Sequence, residues 1–379
     1  MWRFLLFVLA VFGSAAFYVY MRLRPLFPNL YTWRGWIVCA TFLGIIFSYF
    51  VGNILQRHGA LIIARPFVII GSWAMAALLY CFIIFLFFDI IRLFNLLFIK
   101  ADFLTFRYTF GNEKARIFSI CGIVAVALVC IIGYINAKSP IRKEITLKTE
   151  TQLTQPLRFI LVSDVHLGMI NSDKFFNRLA KRVNNENADF LLIAGDFFDG
   201  DPEPVFQSNT AEILKTINTK YGIFAIPGNH EYIGNADAAL QFMRNNGVVV
   251  LRDSVANLPC GVSIIGRDDL SAIRAKGGRA TLENLVSQAD SNSYKIMLDH
   301  QPFHLEEAEN AGIDLQLSGH THHGQLWPLN YITSAIYECS FGQHKRRNTN
   351  YYVTSGYGTW GPPIRTTCHP EMIVFEIRQ

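Results

Sequence analysis

The sequence predicts four transmembrane α-helices followed by a domain of mixed α/β class. Hydrophobic residues make up 51% of the 379 residues and charged residues only 17%, which is a low charged fraction for a soluble protein. Four apolar runs within the first 140 residues are long enough to cross ~30 Å of hydrocarbon, which takes roughly 20 helical residues. From Leu157 onward, short apolar runs alternate with polar or amphipathic stretches, the pattern of strands interleaved with helices.

Charge is distributed unevenly between the two halves of the chain. Residues 1–140 hold 12 of the 34 Lys and Arg residues but only 3 of the 29 Asp and Glu residues. Basic residues that flank apolar runs indicate a lipid bilayer as partner, and their position argues against a nucleic-acid footprint. The seven cysteines show no CxxC pair and no regular spacing, so no disulfide framework is expected.

The four apolar runs are separated by short basic loops. A buried helix of a soluble protein would explain any one run, whereas four in series indicate an integral, multi-pass membrane protein. Residues 93–110 continue apolar with Lys100 and Arg107, and we expect a helix lying in the membrane interface there. Asp89 and Arg92, three residues apart, are expected to form an ion pair at the end of the third helix. The runs are Phe4–Tyr20, Trp36–Leu55, Phe67–Phe88 and Ile117–Ile135.

Orientation and domain bounds follow from the same half of the chain. Arg22 and Arg24 directly follow the first run. The positive-inside rule then places that loop in the cytoplasm and both chain ends on the extracytoplasmic side.

Residues 136–156 are polar, contain two prolines and lack helical periodicity. We therefore expect a membrane domain over residues 1–137, a linker over 138–156 with room for a first strand, and a catalytic domain over 157–379.

Residue types that bind metals follow five of the predicted strands. An acid at the carboxyl end of a strand is where α/β folds place ligands. A capping Asp, a turn-forming Asn or an incidental His would explain each position alone, but not five strand ends in series. In chain order the strand ends carry Asp164 and His166, then Asp196, then Asn229 and His230, then His300, then His320 and His322.

The last of these stretches, Leu317–Gln325, is rich in histidine and glycine. In an extended backbone, residues two apart point the same way, so His320 and His322 are expected to face one point. Neutral imidazole is the commonest metal ligand in proteins. Gly319 and Gly324 allow the backbone to turn closely around that point.

The complete pattern, D-x-H, G-D, G-N-H-E, H and G-H-x-H, resembles that of the calcineurin-like metallophosphoesterase family over roughly residues 155–379. The form of the motifs is similar to that of the membrane-associated bacterial branch. That branch is similar to enzymes acting on lipid-linked or cell-envelope phosphoesters, including some UDP-diacylglucosamine pyrophosphatases. The resemblance implies a two-layer β-sandwich flanked by helices, with the site at the strand ends. It also implies a multi-pass protein of the bacterial inner membrane.

The resemblance further implies two divalent metal ions, with Asp196 bridging them. Carboxylate and imidazole ligands without thiolate suit Mn, Fe or Zn. His230 would not bind metal but would face the leaving group as a catalytic residue. One ion would be held by Asp164, His166, Asp196 and His322, and the other by Asp196, Asn229, His300 and His320.

The expected function is therefore a membrane-anchored, dinuclear-metal phosphohydrolase, of phosphodiesterase or pyrophosphatase type, that uses metal-activated hydroxide. A lipid-linked or cell-envelope phosphoester is the favoured substrate, which would place the enzyme in lipid metabolism. The alternatives are a catalytically silent scaffold of the same fold and a hydrolase of soluble nucleotides.

Several further residues carry open alternatives. Arg267 either binds a phosphate bidentately or forms a surface ion pair. His323, where the branch commonly has Gly, either touches substrate or faces outward. Asp199, Glu231 and Asp299 either orient ligand histidines or act as structural caps. The aromatic stretch Tyr351–Trp360 forms either an apolar wall for an acyl chain or part of the core.

Overall fold

The structure, a computed structural model, describes residues 2–27, 32–151 and 153–379, with side chains from residue 10 onward. It divides into two compact units, Met1–Tyr134 and Ile135–Gln379.

The first unit is built from long helices: α1 (Trp2–Leu23), α2 (Trp33–Arg57), α3 (Leu61–Phe94) and α4 (Glu113–Ala137). Within the described residues, three helical segments are long and apolar enough to cross a membrane, namely Trp33–Arg57, Leu61–Ile99 and Glu113–Ala137. The first predicted run, Phe4–Tyr20, lies in α1 and falls partly outside the residues whose side chains are described.

The predicted interfacial helix over residues 93–110 is wrong for most of its length. Helix α3 continues through a π-helical turn, Asn95–Ile99, and stops at Lys100, whose φ of 59° is left-handed. The Asn95 side chain holds this stop, because its Oδ1 accepts from the Ala101 amide at 2.9 Å. Only a single 3₁₀ turn, Asp102–Leu104, follows before α4.

The expected ion pair at the end of α3 is confirmed. Arg92 Nη1 lies 2.9 Å from Asp89 Oδ1. Asp89 has a second basic partner in α1, because Arg22 Nε lies 2.7 Å from Asp89 Oδ2. Arg22 thus joins α1 to α3 within the first unit, whereas the Arg92–Asp89 pair lies within α3.

The second unit contains two six-stranded mixed sheets. The first has the order β1-β12-β2-β3-β4-β5, and the second the order β10-β11-β9-β8-β7-β6. The strands of the first sheet are β1 (Ile141–Lys148), β2 (Leu157–Val162), β3 (Phe190–Ala194), β4 (Ile223–Ile226), β5 (Val248–Val250) and β12 (Glu371–Arg378). Those of the second are β6 (Ser254–Leu258), β7 (Val262–Gly266), β8 (Tyr294–Leu298), β9 (Leu315–Ser318), β10 (Gly342–Arg346) and β11 (Thr349–Val353).

Apolar side chains of both sheets share one core cluster. Phe159 and Phe190 stack at 4.9 Å between ring centroids, and Ile264 and Leu317 from the second sheet belong to the same cluster. Continuous burial explains why these strands read as apolar runs. Two further clusters join helices to the outer faces of the sheets, as the mixed α/β prediction requires. The helices are α5 (Asp173–Asn184), α6 (Glu203–Phe206), α7 (Thr210–Lys215), α8 (Asn229–Ile233), α9 (Ala236–Asn245), α10 (Ala272–Lys276), α11 (Leu282–Val286), α12 (Leu305–Asn310) and α13 (Leu329–Ile336).

Strand β1 lies inside the predicted linker. It pairs in parallel with β12 over all eight of its residues, and Ile145 is buried in the core between the sheets. The chain from 141 to 148 is therefore part of the sheet and not a connecting segment.

Candidate metal centre

The five strand ends meet at one place. Strands β2, β3 and β4 are parallel neighbours in the first sheet, and β8 and β9 are parallel neighbours in the second. Carboxyl ends of parallel neighbours lie at the same edge of a sheet. The Gly319 amide donates to the carbonyl of His300 at 3.0 Å, which holds the loops after β8 and β9 together.

One group of buried side chains contains Asp164, His166 and His322, whose ligand atoms lie within 4.8 Å of one another. The Nε2 atoms of the two histidines are 3.0 Å apart, and His322 Nε2 lies 3.4 Å from Asp164 Oδ1. Two imidazole nitrogens and one carboxylate thus lie close together and are shielded from solvent. This donor set fits a divalent transition metal.

A second group contains Asp196, His300 and His320, again with ligand atoms within 4.8 Å. Asp196 Oδ2 lies 3.1 Å from His300 Nε2. Asn229 joins this group, because its Oδ1 lies 2.7 Å from His320 Nδ1 and 3.2 Å from His300 Nε2. The donor set is one carboxylate, one amide oxygen and two imidazoles, which also fits a divalent metal.

Asp196 lies between the two groups. The same Oδ2 atom that faces His300 lies 3.8 Å from His166 Nε2 in the first group. The other oxygen, Oδ1, accepts from the His230 amide at 2.8 Å. The structure therefore brings all seven predicted metal ligands together, with Asp196 in contact distance of both sets.

The backbone argument for His320 and His322 is wrong. Their φ angles are 72° and 47°, and Asp164, His166 and Asp196 are also left-handed, at 53°, 48° and 51°. The two rings consequently belong to different groups instead of facing one point. Left-handed backbone is uncommon outside glycine, and such residues concentrate at functional sites. Asp164 supports this turn, because both its oxygens accept from the His320 amide, at 3.0 and 3.1 Å.

Burial sets the protonation of the ligands. Burial and the neighbouring His300 lower the pKa of His320 to about 4. Burial and His166 hold the pKa of His322 well below its ordinary value. Burial would raise the pKa of Asp196, but the surrounding histidines, His300 foremost, hold it well below its ordinary value. His300 and Asp164 shift the other way: burial disfavours the charged form of His300, but Asp196 outweighs it and raises the pKa of His300 well above its ordinary value, and burial raises the pKa of Asp164. Neutral imidazole and ionised carboxylate are the forms that bind metals, so metal binding must release the protons of these two residues.

His230 occupies a different position from the ligand histidines. Its Nδ1 lies 3.4 Å from Asp199 Oδ1, and its ring meets that of His166 edge-on at 4.5 Å. Burial disfavours its charged form, but Asp196 and Asp199 outweigh burial and raise the pKa of His230 to about 9. The side chain therefore carries a proton at neutral pH.

Asp199 is shared by two histidines. The Oδ1 atom that faces His230 also lies 3.5 Å from His166 Nδ1, and the three side chains form a further group within 4.8 Å. Burial would raise the pKa of Asp199, but the close approach of the His166 and His230 rings lowers it to about 2. Because Asp199 faces Nδ1 of His166, the Nε2 atom of that ring is left for the first ligand group.

Glu231 and Asp299 do not contact the ligand imidazoles. Glu231 is buried and accepts from the amides of Gly228 at 2.7 Å, Phe198 at 3.0 Å and Asp196 at 3.2 Å. It thereby fastens the loop after β3 to the loop after β4. Asp299 pairs with Arg279, at 3.0 Å.

The two predicted substrate-contacting residues lie in other surroundings. Arg267 is buried, and its Nη1 binds Asp299 at 3.2 Å and Glu307 at 2.6 Å. Its guanidinium thus forms ion pairs, but it is itself buried, whereas the alternative to phosphate binding was a surface ion pair. His323 stacks on Phe341 with 4.9 Å between ring centroids.

Arg365 is a site residue that sequence reasoning missed. It is fully buried, and its Nη2 lies 3.0 Å from His322 Nδ1. The same Nη2 donates to the carbonyls of Ser355 and Gly358, both at 2.6 Å. No strand end or spacing marks this position in the sequence, because Arg365 lies in an irregular loop before β12.

Comparison with known proteins yields one family model and several relatives. The model for the calcineurin-like phosphoesterase matches residues 157–324. An uncharacterised metallophosphoesterase of Aquifex aeolicus is 32% identical over 226 residues, which cover 59% of this chain and 85% of the relative. One from Campylobacter jejuni is 28% identical over 385 residues, covering 98% and 97%.

A transmembrane protein with a metallophosphoesterase domain from Danio rerio is 27% identical over 276 residues, covering 69% of this chain and 63% of the relative. The chain spans 58% of the length of two similar metallophosphoesterases of Helicobacter pylori.

Proposed function

Because the chain belongs to the calcineurin-like metallophosphoesterase family and is thus a metal-dependent phosphoesterase, we propose that it is a membrane-anchored phosphohydrolase with two metal ions. The bond cleaved is a phosphodiester or pyrophosphate bond of a lipid-linked or cell-envelope substrate. The observation that carries the proposal is the position of Asp196, whose Oδ2 lies 3.1 Å from His300 and 3.8 Å from His166, between two buried donor sets.

The ligand sets assign each residue a task. Asp164, His166 and His322 would hold one ion, Asn229, His300 and His320 would hold the other, and Asp196 would serve both sets. Mn, Fe or Zn suits these donors. Two such cations would supply positive charge for the phosphoryl oxygens and would make a bound water more acidic.

His230 serves as the proton donor. Its Nδ1 faces Asp199 at 3.4 Å, so Nε2 is the nitrogen available to a leaving oxygen. A positioned general acid typically contributes about 10²–10⁴-fold in rate. Asp199 keeps the imidazole charged and fixes its orientation, as a carboxylate does for many histidines.

The membrane anchor is the second part of the proposal. We propose that α1 adds a fourth span to the three apolar helical segments, and that the chain has a membrane domain over 1–137 and a catalytic domain over 157–379, with β1 of the intervening residues 138–156 completing the sheet of the catalytic domain. The basic residues after α1 support an extracytoplasmic catalytic domain in a bacterial inner membrane. Anchoring raises the effective concentration of an amphiphilic substrate.

The test is turnover of bis-p-nitrophenyl phosphate by the full-length protein in detergent, with Mn, Fe or Zn added. Asp196→Asn should abolish turnover and metal binding, because it removes the shared carboxylate. Glu212→Gln makes the same carboxylate-to-amide change on an exposed side chain and should be silent. Absence of both metal binding and turnover in the unaltered protein would favour the scaffold alternative. Turnover of soluble nucleotides but not of lipid phosphoesters would favour the nucleotide alternative.

A variant at His230 tests the proton donor separately. His230→Ala should lower turnover of an ester with a poor leaving group by about 10²–10⁴-fold. Turnover of an ester with a good leaving group, which needs no proton, should fall much less. Equal losses on both esters would contradict the role.

A further inference from the structure

Helix α13 is apolar and uncovered. None of its eight residues is buried, and residues 324–337 contain no Asp, Glu, Lys or Arg. Five large apolar side chains in and beside this helix are between 45% and 66% exposed. We call them the apolar rim: Trp327, Tyr331, Ile332, Ile336 and Trp360.

The helix is held at its start. An isolated helix shorter than about 12 residues is marginal in water, so α13 needs support from the loops around it. At its start, a Cβ on Gly324 would overlap the backbone of Asn330, and the Trp327 amide donates to Thr366 Oγ1 at 2.8 Å. These contacts fix the helix in place while its apolar side chains stay in solvent.

The apolar rim reaches the candidate metal centre through Trp360, and Tyr337, which directly follows the rim residue Ile336, reaches it at the other end of α13. The Trp360 ring lies 5.9 Å from that of His230, and the Trp360 carbonyl accepts from Gln325 Nε2 at 2.9 Å. At the other end of α13, the Tyr337 ring lies 6.1 Å from that of His320. The rim thus borders the proposed proton donor on one side and a proposed ligand of the second ion on the other.

We propose that the apolar rim binds the hydrocarbon chain of a lipid phosphoester whose phosphate lies at the metal centre. This inference rests on the proposed function and names where its substrate is recognised. An uncharged surface of aromatic and branched aliphatic side chains gains free energy by removing hydrocarbon from water and offers no ion pair to a protein partner. Because the rim lies next to His230 and His320, a hydrocarbon chain bound to it would lie beside the reacting phosphate.

The test compares two esters that share one reporting group. Ethyl p-nitrophenyl phosphate and hexadecyl p-nitrophenyl phosphate release the same chromophore and differ only in chain length. With full-length protein in nanodiscs, the unaltered enzyme should have the higher kcat/KM for the hexadecyl ester. The double variant Tyr331→Ser/Ile332→Ser should lose on the order of tenfold or more of that preference, mainly through KM, with the ethyl ester unaffected. Val249→Ser, at an exposed apolar position on strand β5, is the matched control and should keep the preference.

A second readout does not need turnover. p-Benzoylphenylalanine at position 331 should photo-crosslink to hexadecyl phosphonate, which is not hydrolysed, and should do so less when placed at position 249. Capture without turnover of either ester supports the rim and rejects the proposed hydrolysis. Turnover of both esters with no chain-length preference and no capture overturns the rim and leaves the hydrolysis intact. Capture of a second copy of the chain, or of bulk lipid without any chain-length effect on turnover, also overturns it.

Discussion

At the scale of single residues, Asp199 faces both a proposed metal ligand, His166, and the proposed proton donor, His230. The pH dependence of the rate can distinguish the effect of Asp199 on each of them. Its Oδ1 faces both His230, at 3.4 Å, and His166, at 3.5 Å. Asp199→Asn should lower kcat/KM by about 10–100-fold, the usual cost of losing a carboxylate behind a ligand histidine. The pKa of His230 is raised to about 9 with help from Asp199. Losing that charge lowers the pKa, so the imidazolium disappears at lower pH.

The measurement is the pH dependence of kcat/KM for an ester with a poor leaving group. Its alkaline limb should move to lower pH in Asp199→Asn. Asp290→Asn, an exposed control, should leave the limb in place. An unshifted alkaline limb with reduced metal content would mean that Asp199 serves only His166.

The sequence predicted which residue types meet at the site, but not the backbone conformation that sets the directions of their side chains. The order of Asp, His and Asn after successive strands predicted a shared site because parallel strand ends converge, and the family resemblance then selected the seven predicted ligands, which the structure brings together. The direction of His320 and His322 could not be predicted, because left-handed φ angles at both residues replaced the assumed extended backbone. Arg365 was missed for a different reason: its contact with His322 spans 43 residues, and no local pattern reports it.

At the scale of elements, Glu231 is the link between two catalytic loops. It accepts from three amides, of Asp196, Phe198 and Gly228, and an amide side chain can offer only one oxygen to these donors. Glu231→Gln should therefore destabilise the second unit by about 1–3 kcal/mol, since buried donors lose acceptors. Thermal inactivation of the metal-loaded protein measures the loss, with the exposed Glu283→Gln as control. An unchanged inactivation temperature would show that water replaces the lost acceptor.

Central strands were easier to predict than edge strands and short turns. Strands β2, β3 and β4 are buried along most or all of their length and appear as continuous apolar runs. Strand β1 alternates exposed and partly buried residues, because as an edge strand it has a partner on one side only. Its charged residues therefore resembled a linker. The stop of α3 depends on the side chain of Asn95 bonding to Ala101, which apolar content does not reveal.

At the scale of the whole molecule, orientation follows from the loop after α1. Arg22 and Arg24 favour a cytoplasmic loop, which places Gln379 outside the cytoplasm. Alkaline phosphatase fused after Gln379, which is active only outside the cytoplasm, should be active. Green fluorescent protein at the same position should be dark. The opposite pair of results would place the catalytic domain in the cytoplasm.

The pairing of β1 with β12 decides where the catalytic domain begins. A chain shortened to residues 138–379 keeps all eight paired residues of β1, whereas one shortened to 157–379 leaves β12 as an open edge and removes Ile145 from the core. Open, apolar sheet edges promote aggregation. The longer chain should thus be monomeric and unfold cooperatively, and the shorter one should aggregate or unfold at a lower temperature. Size-exclusion chromatography and circular dichroism distinguish them. Equal behaviour of the two would show that residues 138–156 are a linker in function, because the sheet would then be complete without β1.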